Sequence, residues 1–83
     1  MPTVDHDLTE AWTLVASGPT TEPIFIEAPL RPLYFRVGAA TPISNLGHRL
    51  DDDTHGQSVT LTGTDNLYAR AVEGGSVAIV TGG

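Results

Sequence analysis

The side chains best suited to chemistry are concentrated in one hexapeptide, Asp51-Asp52-Asp53-Thr54-His55-Gly56. Clustered carboxylate oxygens suit a hard cation such as calcium. Set against the EF-hand loop, Asp51, Asp53 and Gly56 occupy the first, third and sixth positions. The fifth position is His55, and the twelfth is Thr62, where a bidentate Glu is required. The pattern lacks its strongest ligand, so the segment reads as a solvated polar turn. A cation near Asp51, Asp52 and Asp53 stays open as the alternative. His6, His48 and His55 add imidazoles beside aspartates, but their spacing follows no ligand motif. No metal ligand and no cofactor is assigned.

Nucleophilic catalysis finds no support. There is no Cys and no G-x-S-x-G elbow, and Ser and Thr residues stand beside no recognisable base. A phosphate-binding P-loop needs a Lys, and all four basic residues here are Arg. The chain is expected not to be an enzyme.

A different pattern links Tyr and Arg. Leu33-Tyr34-Phe35-Arg36-Val37 and Leu67-Tyr68-Ala69-Arg70-Ala71 place the same residue types at the same spacing. With period-two geometry, Tyr34 and Arg36 share one strand face, as do Tyr68 and Arg70, while the apolar residues take the other face. Two readings fit. The pairs are ordinary half-exposed strand faces with Arg stems lying over Tyr rings, or they form a protein contact surface, where Tyr and Arg are enriched as anchors. The second reading makes Tyr34, Arg36, Tyr68 and Arg70 the candidate interface, with Glu22, Glu27, Glu73 and Asp51–Asp53 of a neighbour as acceptors.

Strands must hold these residues. Residues 1–10 are poor in apolar side chains and are expected to be an N-terminal arm. From Ala11 to Gly83 a single domain is expected. Trp12, Leu14 and Ala16 alternate, as do Ile24 and Ile26; Leu33, Phe35 and Val37; Val59 and Leu61; Leu67 and Ala69; Val77 and Ile79. Each set is assigned to the core. His48-Arg49-Leu50 makes a further short strand. Pro29 and Pro32 break the chain between the second and third strands, and Gly74-Gly75 signals a tight hairpin. Short strands at intervals of about 8–12 residues, with turn signals between them, indicate an all-β antiparallel sandwich, jelly-roll-like or Ig-like, of six to seven strands.

Bulk composition narrows the partners. The net charge of −6 disfavours nucleic acid and anionic membrane surfaces. Charged residues make up 17%, against about 25% in ordinary soluble domains. Such a neutral surface suits a subunit covered by neighbours. A domain of 83 residues without Cys has a marginal core, and oligomerisation is the remaining staple. No apolar run approaches a membrane span, and Met1–Glu10 lacks the layout of a signal peptide.

The segment Gly63-Thr64-Asp65-Asn66-Leu67-Tyr68-Ala69-Arg70-Ala71, preceded by Gly47-His48-x-Leu50 and followed by the Gly-rich turn and Val77-Ala78-Ile79-Val80, resembles small structural proteins of tailed bacteriophages and phage-like particles such as gene transfer agents. The Trp12 strand and Tyr34-x-Arg36-Val37-Gly38 are similar in style. The resemblance implies a β-sandwich that serves as a head decoration, a head spike or fibre base, or a tail part. It implies contacts with copies of itself and other virion proteins, a homo-oligomer around a symmetry axis, and assembly in the bacterial host cytoplasm. No catalytic residue carries over. The alternative is a free carbohydrate- or protein-binding β-sandwich module, with Tyr34 and Tyr68 as the available aromatics.

Overall fold

Alternating short strands separated by Gly, Pro and Asp close into two sheets in the computed structural model, which describes residues 3–20, 22–43, 46–51 and 56–82. The strands are β1 (Thr3–Leu8), β2 (Thr13–Ser17), β3 (Ile24–Glu27), β4 (Leu33–Gly38), β5 (His48–Leu50), β6 (Gln57–Val59), β7 (Asn66–Ala71) and β8 (Ser76–Thr81). Sheet I has the order β1-β8-β3-β6, and sheet II the order β2-β7-β4-β5. All pairings are antiparallel.

The order has a simple origin. β1 pairs with β8, β2 with β7, β3 with β6 and β4 with β5. The first half of the chain thus runs back along the second half as one long ribbon. Rolling that ribbon lays β8 beside β3 and β7 beside β4. The result is the eight-stranded jelly roll. The expected antiparallel sandwich is present, with the jelly-roll alternative chosen over the Ig-like one and eight strands in place of six or seven.

The added strand is β1, so the expected arm over residues 1–10 is corrected for Thr3–Leu8. Val4, His6 and Leu8 alternate with Thr3, Asp5 and Asp7, and Leu8 is buried in the core. Aspartates on the outer face disguised the strand, yet charged side chains are a common feature of edge strands.

Ile24, Ile26, Leu33, Leu61 and Leu67 are fully buried between the sheets. Ala69, Ala71 and Ala78 are also fully buried and allow close approach of the two layers. Core assignments change in two places, and Trp12, Leu14, Val77 and Ile79 all lie outside the core cluster. In β2 a bulge between Leu14 and Ala16 turns Val15 inward and leaves Leu14 exposed on the outer face. In β8 the inward residues are Ala78 and Val80, not Val77 and Ile79. Both faces of this strand are apolar, so alternation did not mark the inner one. Val37 keeps its expected phase but lies near the sheet's end and is exposed.

Turns connect the sheets. The Gly74-Gly75 segment is not a hairpin: it carries the chain from β7 in sheet II to β8 in sheet I, with Gly74 at φ 68°. Gly56, before β6, has φ 115°, and a Cβ there would lie 2.5 Å from Phe25 Cζ and 2.8 Å from the Ile26 carbonyl oxygen. Both the backbone and the space require glycine. Gly56→Ala is expected to destabilise the domain by about 1–3 kcal/mol, read as a fall in melting temperature. An unchanged melting temperature would show that β6 can be lost without cost.

Candidate functional site: an arginine–aromatic sheet face

The two echoed pentapeptides are adjacent antiparallel strands. Leu33 faces Ala71, Tyr34 faces Arg70, Phe35 faces Ala69, Arg36 faces Tyr68, and Val37 faces Leu67. Pairing L-Y-x-R-x head to tail with its near copy sets each Tyr across from the other strand's Arg. Cross-strand neighbours of this kind stabilise a sheet through direct side-chain contact. Tyr34 also faces Arg49 of β5, and Tyr68 faces Leu14 of β2. The outer face of sheet II therefore carries Arg36, Arg49 and Arg70 interleaved with Tyr34 and Tyr68.

Arg70 is the centre of this face. Its guanidinium carbon lies 5.8 Å from the Trp12 ring centroid and 5.3 Å from the Tyr34 centroid. The Nε donates to the Glu10 carbonyl oxygen at 2.9 Å, and only 9% of the residue is exposed. The same peptide segment is held twice more. Thr9 O accepts from Ala71 N at 2.7 Å, and Glu10 Oε2 accepts from Gly74 N at 3.1 Å. The chain leaving β1 is thereby strapped to β7, which brings Trp12 over the face. Gly47 makes room for that ring, since a Cβ there would lie 2.9 Å from Trp12 Cη2 and 3.1 Å from Tyr34 Cβ.

The remaining members sit nearer the solvent. Arg36 is half-buried, and its Nη1 donates to the Leu46 carbonyl oxygen at 3.2 Å. Arg49 is exposed, and its Nε donates to Asp51 Oδ1 at 2.8 Å. That hydrogen bond, then the charge of Asp51, holds the Arg49 guanidinium above its ordinary pKa. Tyr68 is buried, with its hydroxyl 3.4 Å from Asn66 Nδ2. Leu14 on the face and Leu46 beside Arg36 are exposed.

The four expected residues thus share one face rather than two. Their exposure differs from expectation: Tyr68 and Arg70 are buried beneath neighbours, and Tyr34 and Arg36 are half-buried. Trp12, Leu14 and Arg49 were missed as members. Arg49 was detectable, because Leu50 beside it is buried and alternation turns Arg49 outward. Trp12 and Leu14 were not, because the bulge reverses their phase.

The other candidates do not converge. Asp51 is paired with Arg49, while Asp52, Asp53 and His55 lie outside the described residues. His6 is on β1 and His48 on β5, in different sheets. Among the described residues no three His, Asp or Glu side chains are grouped to hold a metal ion. A groove of about 620 Å³ opens between β5 and β6, lined by Phe35, His48, Arg49, Gln57 and Ser58 among others. Its aromatic, Phe35, is buried, with its ring centroid 5.3 Å from that of His48.

The class defined so far is an eight-stranded jelly roll with a cationic, aromatic outer sheet face. No protein-family model, curated protein or solved structure matches the chain.

Proposed function

We propose that this protein is a non-enzymatic structural subunit of a phage or phage-like virion, part of a head decoration, spike or fibre base, or tail. It assembles through protein contacts of the sheet II outer face with copies of itself and other virion proteins. One observation carries the reading: a chain of net charge −6 gathers three of its four cations, with Trp12, Tyr34 and Tyr68, on one outer sheet face. Arg and aromatic residues are the side chains that anchor protein interfaces. The jelly roll serves both viral capsid proteins and lectins, so the surface must choose between them. Sugar binding by a lectin-like module calls for a presented aromatic platform. Here Tyr68 is buried, Trp12 and Tyr34 are half-buried around Arg70, and the aromatic ring that the described residues bring to the groove is the covered Phe35. These features favour the structural reading.

Arg36→Ala is expected to keep the fold, because the side chain lies half-buried at the outer face, outside the core cluster, and its guanidinium donates to the Leu46 carbonyl oxygen. Association should weaken by about 30-fold or more, corresponding to the roughly 2 kcal/mol lower bound for removing one member of a desolvated charge pair. Sedimentation velocity measures the association, and a thermal melt checks the fold. Recovery of the chain only as a free monomer, absent from purified particles under immunoelectron microscopy, would overturn the virion assignment.

A further inference from the structure

The reverse side of the sandwich is the electrostatic complement of the sheet II face. In β1 the outward residues include Asp5 and Asp7, opposite Ile79 and Val77 of β8. In β3 Glu27 is also opposite Ile79. Since Ala78 and Val80 are the buried residues of β8, this whole set faces away from the core. Sheet I thus shows carboxylates on both sides of a half-buried apolar strip formed by Val77 and Ile79, with no Arg among the outward strand positions. Sheet II shows Arg36 and Arg49 around Tyr34, Arg49 being bridged to Asp51, with Leu14 exposed on the same face.

The edges are poor alternatives for association. β5 and β6 have three residues each, β2 is interrupted by its bulge, and β1 carries the aspartates. Short, bulged and charged edges oppose strand addition. The broad faces remain.

Resting on the structural-subunit reading above, we infer that the partner of the sheet II arginine–aromatic face is the acidic outer face of sheet I on a second copy of this chain. The contact is heterologous, because two different faces on opposite sides of the molecule meet. Such contacts repeat from copy to copy, closing a ring or extending a column, and do not stop at a twofold dimer. Acid against arginine sets the register, and the apolar strip meets Tyr34 and Leu14. A standard interface takes about 800 Å² from each partner. With both faces used, each copy covers roughly a third of its 4825 Å² surface. That supplies the burial a small domain lacks.

A charge-exchange experiment on the full chain tests this. One variant carries Arg36→Glu and Arg49→Glu; the other carries Asp5→Arg and Asp7→Arg. Circular dichroism melts establish that each is folded. The wild type is expected to gain mass with concentration, beyond a dimer, in about 50 mM salt and to dissociate in about 500 mM salt, where screening is short-ranged. Each variant alone is expected to lose association by at least about ten-fold. An equimolar mixture should regain it, with the two variants alternating. A wild type that stays monomeric, or a mixture that fails to recover, overturns the inference. If the arginine variant alone loses association while the aspartate variant assembles like wild type, the sheet II face remains a contact surface and only its assigned partner is wrong. If both variants assemble like wild type, the contact-face reading falls as well.

Discussion

Replacing Phe35 with alanine is expected to remove at least about a quarter of the domain's stability. Phe35 is only 8% exposed and belongs to the core cluster between the sheets. Its cross-strand neighbours are Ala69, which has no side chain to swing into the gap, and His48, which is exposed. Truncating a buried Phe costs about 3–5 kcal/mol, the upper part applying where the site cannot collapse. At about 0.05–0.15 kcal/mol per residue, the whole domain holds roughly 4–12 kcal/mol. One substitution therefore removes between a quarter and all of the stability. Phe35→Leu keeps most of the volume and should cost less than about 1.5 kcal/mol. Urea or thermal unfolding of both variants makes the comparison. An alanine variant that melts like its parent would mean that β4 turns its other face to the core.

Much of this packing was legible in period-two alternation, and its failures have physical causes. Alternation marks the inner face only where the outer one is polar. That holds for Ile24 and Ile26 against Phe25 and Glu27 only in part, and for Leu33 and Phe35 against Tyr34 and Arg36 well. It fails for β8, whose Val77 and Ile79 are as apolar as Ala78 and Val80. A bulge defeats it at Leu14, because the extra residue shifts the phase midway through β2. Strand β1 was missed because Asp5, His6 and Asp7 keep its mean hydropathy low; what holds it is pairing with β8 and the burial of Leu8.

The candidate site was legible as a phase and not as a pairing. Sequence placed Tyr34 with Arg36 and Tyr68 with Arg70. It did not show that β4 and β7 are neighbours, because that adjacency arises from rolling the ribbon. Nor did it show that the chain at Thr9 and Glu10 would be strapped over part of the face. The echo of L-Y-x-R-x gains its meaning from the antiparallel register alone: each copy supplies the partner the other needs.

The second large effect follows from that burial and falls on Arg70. Its guanidinium sits beside the rings of Trp12 and Tyr34 and holds the Glu10 carbonyl. Arg70→Ala removes a charge-assisted hydrogen bond, worth about 1.5–3 kcal/mol. It also removes cation–π contacts worth about 0.5–2 kcal/mol, the larger figure applying to desolvated rings. Thr9 and Glu10 keep their hydrogen bonds from Ala71 N and Gly74 N, so the net loss is expected at about 2–4 kcal/mol. Arg70→Lys retains the charge but not the planar fork that both stacks and donates from Nε, and should recover less than half. Unfolding melts give the stability. Trp12 is the sole tryptophan, so its fluorescence reports the face directly, and Arg70→Ala should shift its emission while Arg36→Ala should not. A stability change within about 0.5 kcal/mol, the range of an ordinary surface substitution, would mean that the stack contributes nothing to the fold. Because Arg70 holds the face together from beneath, losing it must disturb fold and association at once. Arg36, half-buried on the outer face with the Leu46 carbonyl as an acceptor, can disturb association alone, and the contrast between these two arginines separates what builds the face from what the face binds.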